Sequence, residues 1–246
     1  MVVMETIAKR QRDTYISTLN HDLKIPTIAQ IRALELLLDE SMGSINSVQK
    51  EIINSTLDSC RYMYEMLSTI TSTYKYENKD FVLDIEKIEM LDLVYACFAS
   101  ASKILDDKNV KVILRSREMF YNIFADKTQL QKAFENLINY CISSAYENTN
   151  VICEVKKSRD RESVFVSLVF ESPYMSFEKL QNMFNMYSTP SEKMDKVGSG
   201  LGLYLAKQII EAHNGEIIVE SNEKNFSAYN FKLPCINECK FSDIQD

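Results

Sequence analysis

The sequence predicts an α+β protein, in which a helical hairpin precedes a sandwich of one mixed sheet with helices on one face. Apolar residues recur every three or four positions through about the first 76 residues, which is the helical period. Beyond residue 80, short alternating segments lie between helical ones, and adjacent strands late in the chain are typical of α+β order. The composition changes at Asn78-Lys79-Asp80, which predicts two domains over residues 1–79 and 80–246.

The first predicted helix runs from Thr6 to Asp39. Pro26 lies inside it, and we expect a kink there because proline lacks a backbone N–H and its ring crowds the preceding turn. The apolar positions of this helix are separated by three, four or multiples of these spacings: Ile7, Tyr15, Leu19, Leu23, Ile31, Leu34 and Leu38.

The second predicted helix follows a turn at residues 41–44 and ends near Tyr76. Asn46 or Ser47 is expected to cap it, with Gln49 as the capping-box partner of Asn46. One hairpin buries only one apolar stripe per helix, so we expect two copies to pair through residues 5–78 into a homodimeric four-helix bundle. The stripe of the second helix consists of Val48, Ile52, Met63, Leu67 and Ile70.

The second domain is predicted to alternate between strands and helices. Turn residues and apolar alternation bound its strands, and longer periodic runs mark its helices. The predicted strands are 81–85, 110–114, 121–125, 151–157, 163–170, 216–220 and 227–233, and the predicted helices are 90–105, 127–145 and 203–212.

Composition excludes several classes of protein. The net charge of −7 argues against general nucleic-acid binding. The sequence has no apolar run near the roughly 20 residues that span a bilayer and no signal-peptide pattern, so we expect a cytoplasmic chain without membrane contact. None of the six cysteines forms a CxxC pair, which favours free thiols, and two histidines leave little room for a histidine-based metal site.

A histidine beside a carboxylate is the first candidate for chemistry. His21 and Asp22 lie within the first helix, followed by Lys24. A neutral imidazole is nucleophilic, Asp22 can orient it or take its proton, and Lys24 can steady the charge of an incoming phosphate. A histidine on a solvated helix surface produces the same local pattern.

A glycine-rich run before a helix is the second candidate. Alternating glycines let backbone N–H groups approach phosphate oxygens, and the N-terminus of the helix adds positive potential. A flexible start to the helix is the alternative, but three of only five glycines lie in this run. The predicted phosphate-binding residues are Gly198, Ser199, Gly200, Leu201 and Gly202.

The third candidate lies on the predicted helix 127–145. Asn136 and Asn139 are three residues apart and share a polar face, and their amide oxygens suit Mg²⁺ that accompanies nucleotide phosphates. The alternative is a solvated helix face.

Together these motifs resemble the sensor histidine kinases from about Arg10 to Leu233. Asp126 and Leu130 resemble the residues that lead into the asparagine helix of that family, and His213-Asn214-Gly215 resembles its His-Gly-Gly, which implies a structural role for His213. The resemblance implies a dimerisation and histidine-phosphotransfer hairpin followed by a Bergerat-type ATP-binding domain. It also implies ATP and Mg²⁺ as cofactors, and the receiver domain of a response regulator as partner.

The asparagine box departs from the family pattern. The family has Asn-Leu-x-x-Asn-Ala-x-Lys, whose second asparagine binds Mg²⁺. Asn136 and Leu137 match, but Tyr140 stands at the second asparagine and Ser143 at the lysine, which leaves Asn139 as the candidate replacement.

Two further boxes also differ. The adenine box of the family, Asp-x-Gly-x-Gly, aligns with residues 171–175, so the resemblance implies that Glu171 reads the adenine amino group while Pro173 replaces a glycine. Ile25 replaces the threonine or asparagine that positions water for phosphatase activity. By the same analogy, Met183 to Lys196 would form a lid over ATP.

Three hypotheses follow from the sequence. The first is an enzyme in which His21 accepts phosphate from ATP and passes it to an aspartate of a response regulator. The second is a degenerate pseudokinase that works as a dimeric scaffold. The third is a phosphotransfer module that receives phosphate on His21 from another protein.

Overall fold

A computed structural model gives the fold and describes residues 2–77, 82–185 and 201–235. The chain divides into two compact units, Met1–Asp80 and Phe81–Asp246. Within the described residues, no helix combines the length and the apolar character needed to cross a bilayer.

The first unit is a hairpin of two long helices, α1 (Val2–Leu38) and α2 (Ser47–Glu77). The capping box predicted at the start of α2 is confirmed. The backbone N–H of Gln49 donates to Asn46 Oδ1, and the backbone N–H of Asn46 donates to Gln49 Oε1, both at 2.9 Å. The helix α1 continues through Pro26, and the kink expected there stays a prediction.

The two helices of the hairpin meet through side chains at their facing positions. Leu57, Cys60 and Leu67 of α2 are buried, and Arg61 Nη2 lies 3.1 Å from Glu35 Oε1. Many large apolar side chains stay exposed on the hairpin, and they include part of the two predicted stripes, although Leu67 of the second stripe is buried. The exposed side chains include Tyr15, Leu19, Leu23, Ile25, Ile28, Leu36, Val48, Ile52 and Met63.

The second unit alternates strands and helices in the predicted order, except that the short helix α6 was not predicted. In chain order its elements are β1 (Glu86–Glu89), α3 (Met90–Ser100), α4 (Ser102–Asp107), β2 (Lys111–Ser116), β3 (Asn122–Ala125), α5 (Lys127–Ser144), β4 (Asn150–Lys157), β5 (Ser163–Glu171), α6 (Phe177–Asn182), α7 (Leu201–Ala212), β6 (Glu216–Asn222) and β7 (Phe226–Pro234).

The strands form a five-stranded mixed sheet and a small two-stranded one. The large sheet has the order β2-β4-β5-β7-β6, with β2 parallel to β4 and the other pairs antiparallel. The small sheet pairs β1 with β3. The helices α3, α5 and α7 pack together beside the sheet, so the predicted α+β fold is confirmed.

The core lies between the inner face of the large sheet and the helices α5 and α7. Phe134 and Leu137 of α5 are fully buried, and the Phe134 ring meets the Phe231 ring of β7 at 5.4 Å between centroids. Burying each such side chain stabilises the fold by about 1.5–3 kcal/mol. The apolar residues that recur at helical spacing along α5 are all buried, and they are Leu130, Ala133, Phe134, Leu137 and Cys141.

Two predicted elements differ from the structure. Residues 82–85 are irregular, with Val82 97% exposed, and the first strand lies instead at Glu86–Glu89. This segment becomes a strand because Ile88 pairs with Ile123 of β3. The predicted helix 90–105 is split at Ala101, whose backbone N–H bonds to the carbonyls of Cys97 and Phe98. No glycine or proline marks that break in the sequence.

Candidate functional site

His21 presents its imidazole to solvent on the surface of the hairpin. Its side chain is 74% exposed, and its Nδ1 atom lies 3.4 Å from Asp22 Oδ1, which is itself 66% exposed. The preceding residue, Asn20, is buried. The orientation of α1 therefore places His21 and Asp22 together where an incoming group can reach the ring.

Lys24, the third residue predicted here, faces the second helix of the hairpin. Its Nζ lies 5.9 Å from the centroid of the Tyr64 ring, which is a cation–π distance. One residue further, Ile25 is exposed and its side chain carries no hydrogen-bonding group. The structure therefore brings His21 and Asp22 together, while Lys24 contacts Tyr64.

In the second unit, Asp126 fixes the start of α5. Its Oδ1 accepts a hydrogen bond from the Gln129 backbone N–H at 2.9 Å, and its Oδ2 accepts one from the Asp84 backbone N–H at 3.1 Å. A carboxylate at this position satisfies free backbone N–H groups and favours the helix dipole. This cap sets the position of the asparagine residues further along α5.

Asn136 lies against the start of α7. A Cβ atom at Gly202 would be 3.1 Å from Asn136 Oδ1 and 3.4 Å from its Cγ, so the lack of a side chain at Gly202 lets the two helices approach. The structure thus brings together two of the predicted nucleotide-binding residues. Leu201 is buried at the same end of α7, whereas Gly198, Ser199 and Gly200 lie outside the described residues.

Tyr140 turns towards the sheet. The centroid of its ring is 6.1 Å from that of Tyr229 on β7, and burial raises the pKa of the Tyr140 phenol. Asn139 is only partly buried. At about 100° per residue, Asn139 projects about 100° around the helix from Tyr140 and about 60° from Asn136, on the side opposite the core. The two asparagines predicted to share a face therefore differ in their surroundings, since Asn136 meets α7.

Glu171, at the end of β5, does not lie on the face of the sheet that the predicted adenine contact requires. Successive side chains of a strand point to opposite faces. Phe170 is 1% exposed and stacks on Tyr229 at 5.6 Å on the helix side of the sheet, so Glu171, which is exposed, belongs to the outer face. This placement argues against the adenine contact that the resemblance implies for Glu171.

A small polar cluster that the sequence interpretation missed lies just beyond Phe170. Ser172 Oγ is 2.7 Å from Ser227 Oγ, and Ser227 donates to Ser221 Oγ at 3.3 Å. Ser221 also accepts the Met175 backbone N–H at 3.1 Å. Strict counting of the alternation from Val164 would have placed Phe170 and Ser172 on the inner face. Of the predicted lid, only residues 183–185 are described.

The second unit matches a known family of ATPases. Residues 125–236 match the family described as histidine kinase-, DNA gyrase B-, and HSP90-like ATPase. Among curated proteins, the chain is 26% identical over 227 residues to the adaptive-response sensory kinase SasA of Crocosphaera subtropica, covering 91% of this chain and 59% of that protein. It is 22% identical over 231 residues to the sensor histidine kinase WalK of Bacillus subtilis, covering 92% of this chain and 37% of WalK.

Solved structures show the same fold. Full-length ShkA in complex with AMPPNP matches with a TM-score of 0.74 at 15% identity, over 90% of this chain and 45% of that chain. The histidine kinase AdeS of Acinetobacter baumannii matches with a TM-score of 0.62 at 15% identity, over 88% of this chain and 98% of that chain.

Over about nine-tenths of its length, the chain is similar to sensor histidine kinases. It spans 59% of the length of SasA and 37% of that of WalK, so it corresponds to only part of these relatives. The match to the ATPase family begins at Ala125, next to the Asp126 cap, and ends beyond β7. The match therefore includes α5, α7 and every strand of the large sheet except β2.

The described residues fit the two implied cofactors differently. Gly202 has no side chain in the first turn of α7, which leaves the backbone there open to the phosphates of a nucleotide. The ligand set for Mg²⁺ does not fit. Tyr140 packs against Tyr229 where the family has its second asparagine, and the Asn139 amide projects to another side of α5.

Proposed function

We propose that the chain is the part of a sensor histidine kinase in which His21 takes a phosphoryl group from ATP and passes it to an aspartate of a response regulator. The observation that carries the proposal is the exposed His21 imidazole beside the Asp22 carboxylate. The membership of residues 125–236 in an ATPase family supports ATP as the phosphate donor.

The geometry of His21 assigns a role to each atom of its ring. A hydrogen bond from Nδ1–H to Asp22 Oδ1 would leave the lone pair of Nε2 free to attack phosphorus. The Nε2–P bond forms as the bond between the γ-phosphorus and the oxygen of the departing ADP breaks. Asp22 accepts the Nδ1 proton as positive charge develops on the ring. The exposure of the ring then leaves the phosphoryl group accessible to a receiver aspartate.

On the nucleotide side, we assign Asn136, Gly202 and Leu201 to the phosphate end of the site. Backbone N–H groups at the start of a helix attract anions, and a glycine allows a phosphate to approach the backbone. Gly198, Ser199 and Gly200 extend this assignment on the basis of the sequence alone.

We further propose that the protein works as a cytoplasmic homodimer. The hairpin leaves an apolar stripe exposed, and a second copy of the hairpin would cover it in a four-helix bundle. A solution mass of twice the monomer mass by light scattering would support this arrangement. A stable monomer at micromolar concentration would contradict it.

The test of the function is transfer of label from ATP labelled at the γ-phosphate. We expect wild-type protein to take up an acid-labile label, and His21→Gln to take up none. We expect the Asp22→Asn variant to keep the fold but to take up label about 10²–10⁴-fold more slowly, since Asp22 would act as the base. Label that persists in His21→Gln, or its absence from wild type at millimolar ATP, would contradict the proposal.

A second candidate function is phosphotransfer, or scaffolding, without ATP turnover. Tyr140 favours it, because an aromatic ring stands at the position of the metal-binding asparagine of the family. The exposed position of Glu171, aligned with the adenine-binding carboxylate of the family, favours it as well. A response regulator phosphorylated in advance is the probe. Two results together would favour this candidate. Labelled phosphate moves from that regulator to His21 in the absence of ATP, and labelled ATP does not label His21.

A further inference from the structure

Three aromatic rings from three elements meet between α5 and the sheet. Tyr140 of α5 faces Tyr229 of β7 at 6.1 Å, and Tyr229 stacks on Phe170 of β5 at 5.6 Å with an interplanar angle of 22°. Tyr229 and Phe170 are at most 1% exposed. The Tyr229 hydroxyl lies 3.9 Å from Sδ of Met183, which is also buried. We call these four residues the aromatic plug.

The plug ties the position of Tyr140 to the core. Aromatic pairs at such distances contribute about 0.5–1.5 kcal/mol beyond the area that they bury. Turning the Tyr140 ring away from Tyr229 would lose this contact and uncover part of the buried Tyr229. The phenol is therefore held against the sheet.

Neither neighbouring asparagine replaces the amide that Tyr140 displaces. Mg²⁺ requires oxygen ligands in a nearly octahedral arrangement at about 2.0–2.1 Å and gives up its water reluctantly. The Asn136 amide already lies against Gly202, and moving Asn139 into the place of Tyr140 would need about a 100° rotation of α5. Such a rotation would expose Phe134 and Leu137, which are fully buried.

We infer that α5 supplies no ligand to Mg²⁺ in this chain and that the aromatic plug, through Tyr140, is the reason. The inference rests on the proposed function in one respect, because it takes the second unit as a nucleotide-binding unit. Its consequence is that any affinity of the chain for ATP does not depend on Mg²⁺.

The test is calorimetric titration of the whole chain with a non-hydrolysable ATP analogue, in millimolar Mg²⁺ and again in excess chelator. We expect the wild-type affinity to change by less than about threefold between the two conditions. We expect Tyr140→Asn to gain at least about tenfold in affinity when Mg²⁺ is present, because it restores the amide and opens the corner beside Tyr229. Tyr140→Phe is the matched control, and we expect it to remain insensitive to Mg²⁺.

The outcomes separate this inference from the proposed function. A wild-type affinity that rises tenfold or more with Mg²⁺ would overturn the inference, and if Asn139→Ala abolishes that rise, Asn139 is the ligand. If wild type binds no nucleotide in either condition, the proposed phosphorylation of His21 by ATP is contradicted. The inference about α5 is then tested by Tyr140→Asn. A gain with Mg²⁺ in Tyr140→Asn then supports it, and a folded Tyr140→Asn without any gain overturns it.

Discussion

The imidazole of His213 accepts a hydrogen bond at Nε2 from the backbone N–H of Asp126, at 3.0 Å. Its Nδ1 lies 2.8 Å from the carbonyl oxygen of Ile209, so the ring is the neutral tautomer that donates from Nδ1. This residue joins the end of α7 to the cap of α5. The structural role that the resemblance implies for His213 agrees with these two hydrogen bonds.

The stability of the second unit is expected to fall as the pH drops below about 6.5. Burial lowers the pKa of His213 below its ordinary value of 6.5, outweighing the opposing effects of the Ile209 carbonyl and the Asp126 carboxylate. Between the lowered pKa and about 6.5, the unfolded chain binds more protons than the folded chain, so stability is present above this range and is lost through it. Urea unfolding at about pH 7.5 and about pH 5.5 measures the change.

The two histidines provide a matched pair for this measurement. His213→Gln removes the titrating ring and should reduce the pH dependence, whereas His21→Gln removes an exposed ring and should leave it unchanged. An equal pH dependence in wild type and His213→Gln would show that another group is responsible.

Gly215→Ala is expected to destabilise the second unit by at least about 1–3 kcal/mol, as overpacking in a core does. A Cβ at Gly215 would lie 2.6 Å from the backbone oxygen of Lys232 and 2.8 Å from Ile210 Cγ2. Gly202→Ala is the matched control, because its nearest contact is the end of the Asn136 side chain at 3.1 Å, which has more freedom to move. Denaturant midpoints that rank the two variants in the opposite order would contradict this interpretation.

Lys108→Met is expected to cost about 1–3 kcal/mol of unfolding free energy, the usual penalty for leaving buried polar groups without a partner. Its Nζ donates to the carbonyl oxygens of Ile142, Ser143 and Ala145 at 3.1, 2.7 and 2.6 Å, and so completes the C-terminal end of α5. Lys87→Met, at an exposed position of β1, should change stability by less than about 0.5 kcal/mol. Thermal and chemical unfolding of both variants compares the two losses.

Glu171→Ala is expected to leave nucleotide affinity within about twofold of wild type, because the carboxylate is exposed and lies on the opposite face of β5 from Phe170. Titration with an ATP analogue measures this affinity, and unfolding should show a stability change within about 0.5 kcal/mol. A loss of affinity of tenfold or more would restore the adenine contact implied by the family.

Local signals in the sequence predicted the elements whose ends depend on nearby residues. The start of α2 follows from the reciprocal bonds of Asn46 and Gln49, which are three positions apart in the chain. The buried face of α5 follows from helical spacing alone. The order of helices and strands, and with it the α+β class, was therefore predictable from the sequence.

Contacts between residues distant in the chain decided the remaining features. The first strand formed at Glu86–Glu89 because Ile88 finds Ile123 in β3, 35 positions away, which alternation within residues 81–85 does not reveal. The direction of the Tyr140 side chain on α5 depended on Tyr229 and Phe170, which lie on the strands β7 and β5.

The sequence by itself determined the fold class, the placement of His21 on a helix beside a carboxylate, and the substitution of Tyr140 for an asparagine. Only the tertiary structure decided that Tyr140 packs against the sheet, that Asn136 meets Gly202, and that Glu171 faces outward. The physical reason is the range of the interactions involved. Helical period and capping act within a few residues, whereas side-chain packing depends on partners that only the folded chain brings together.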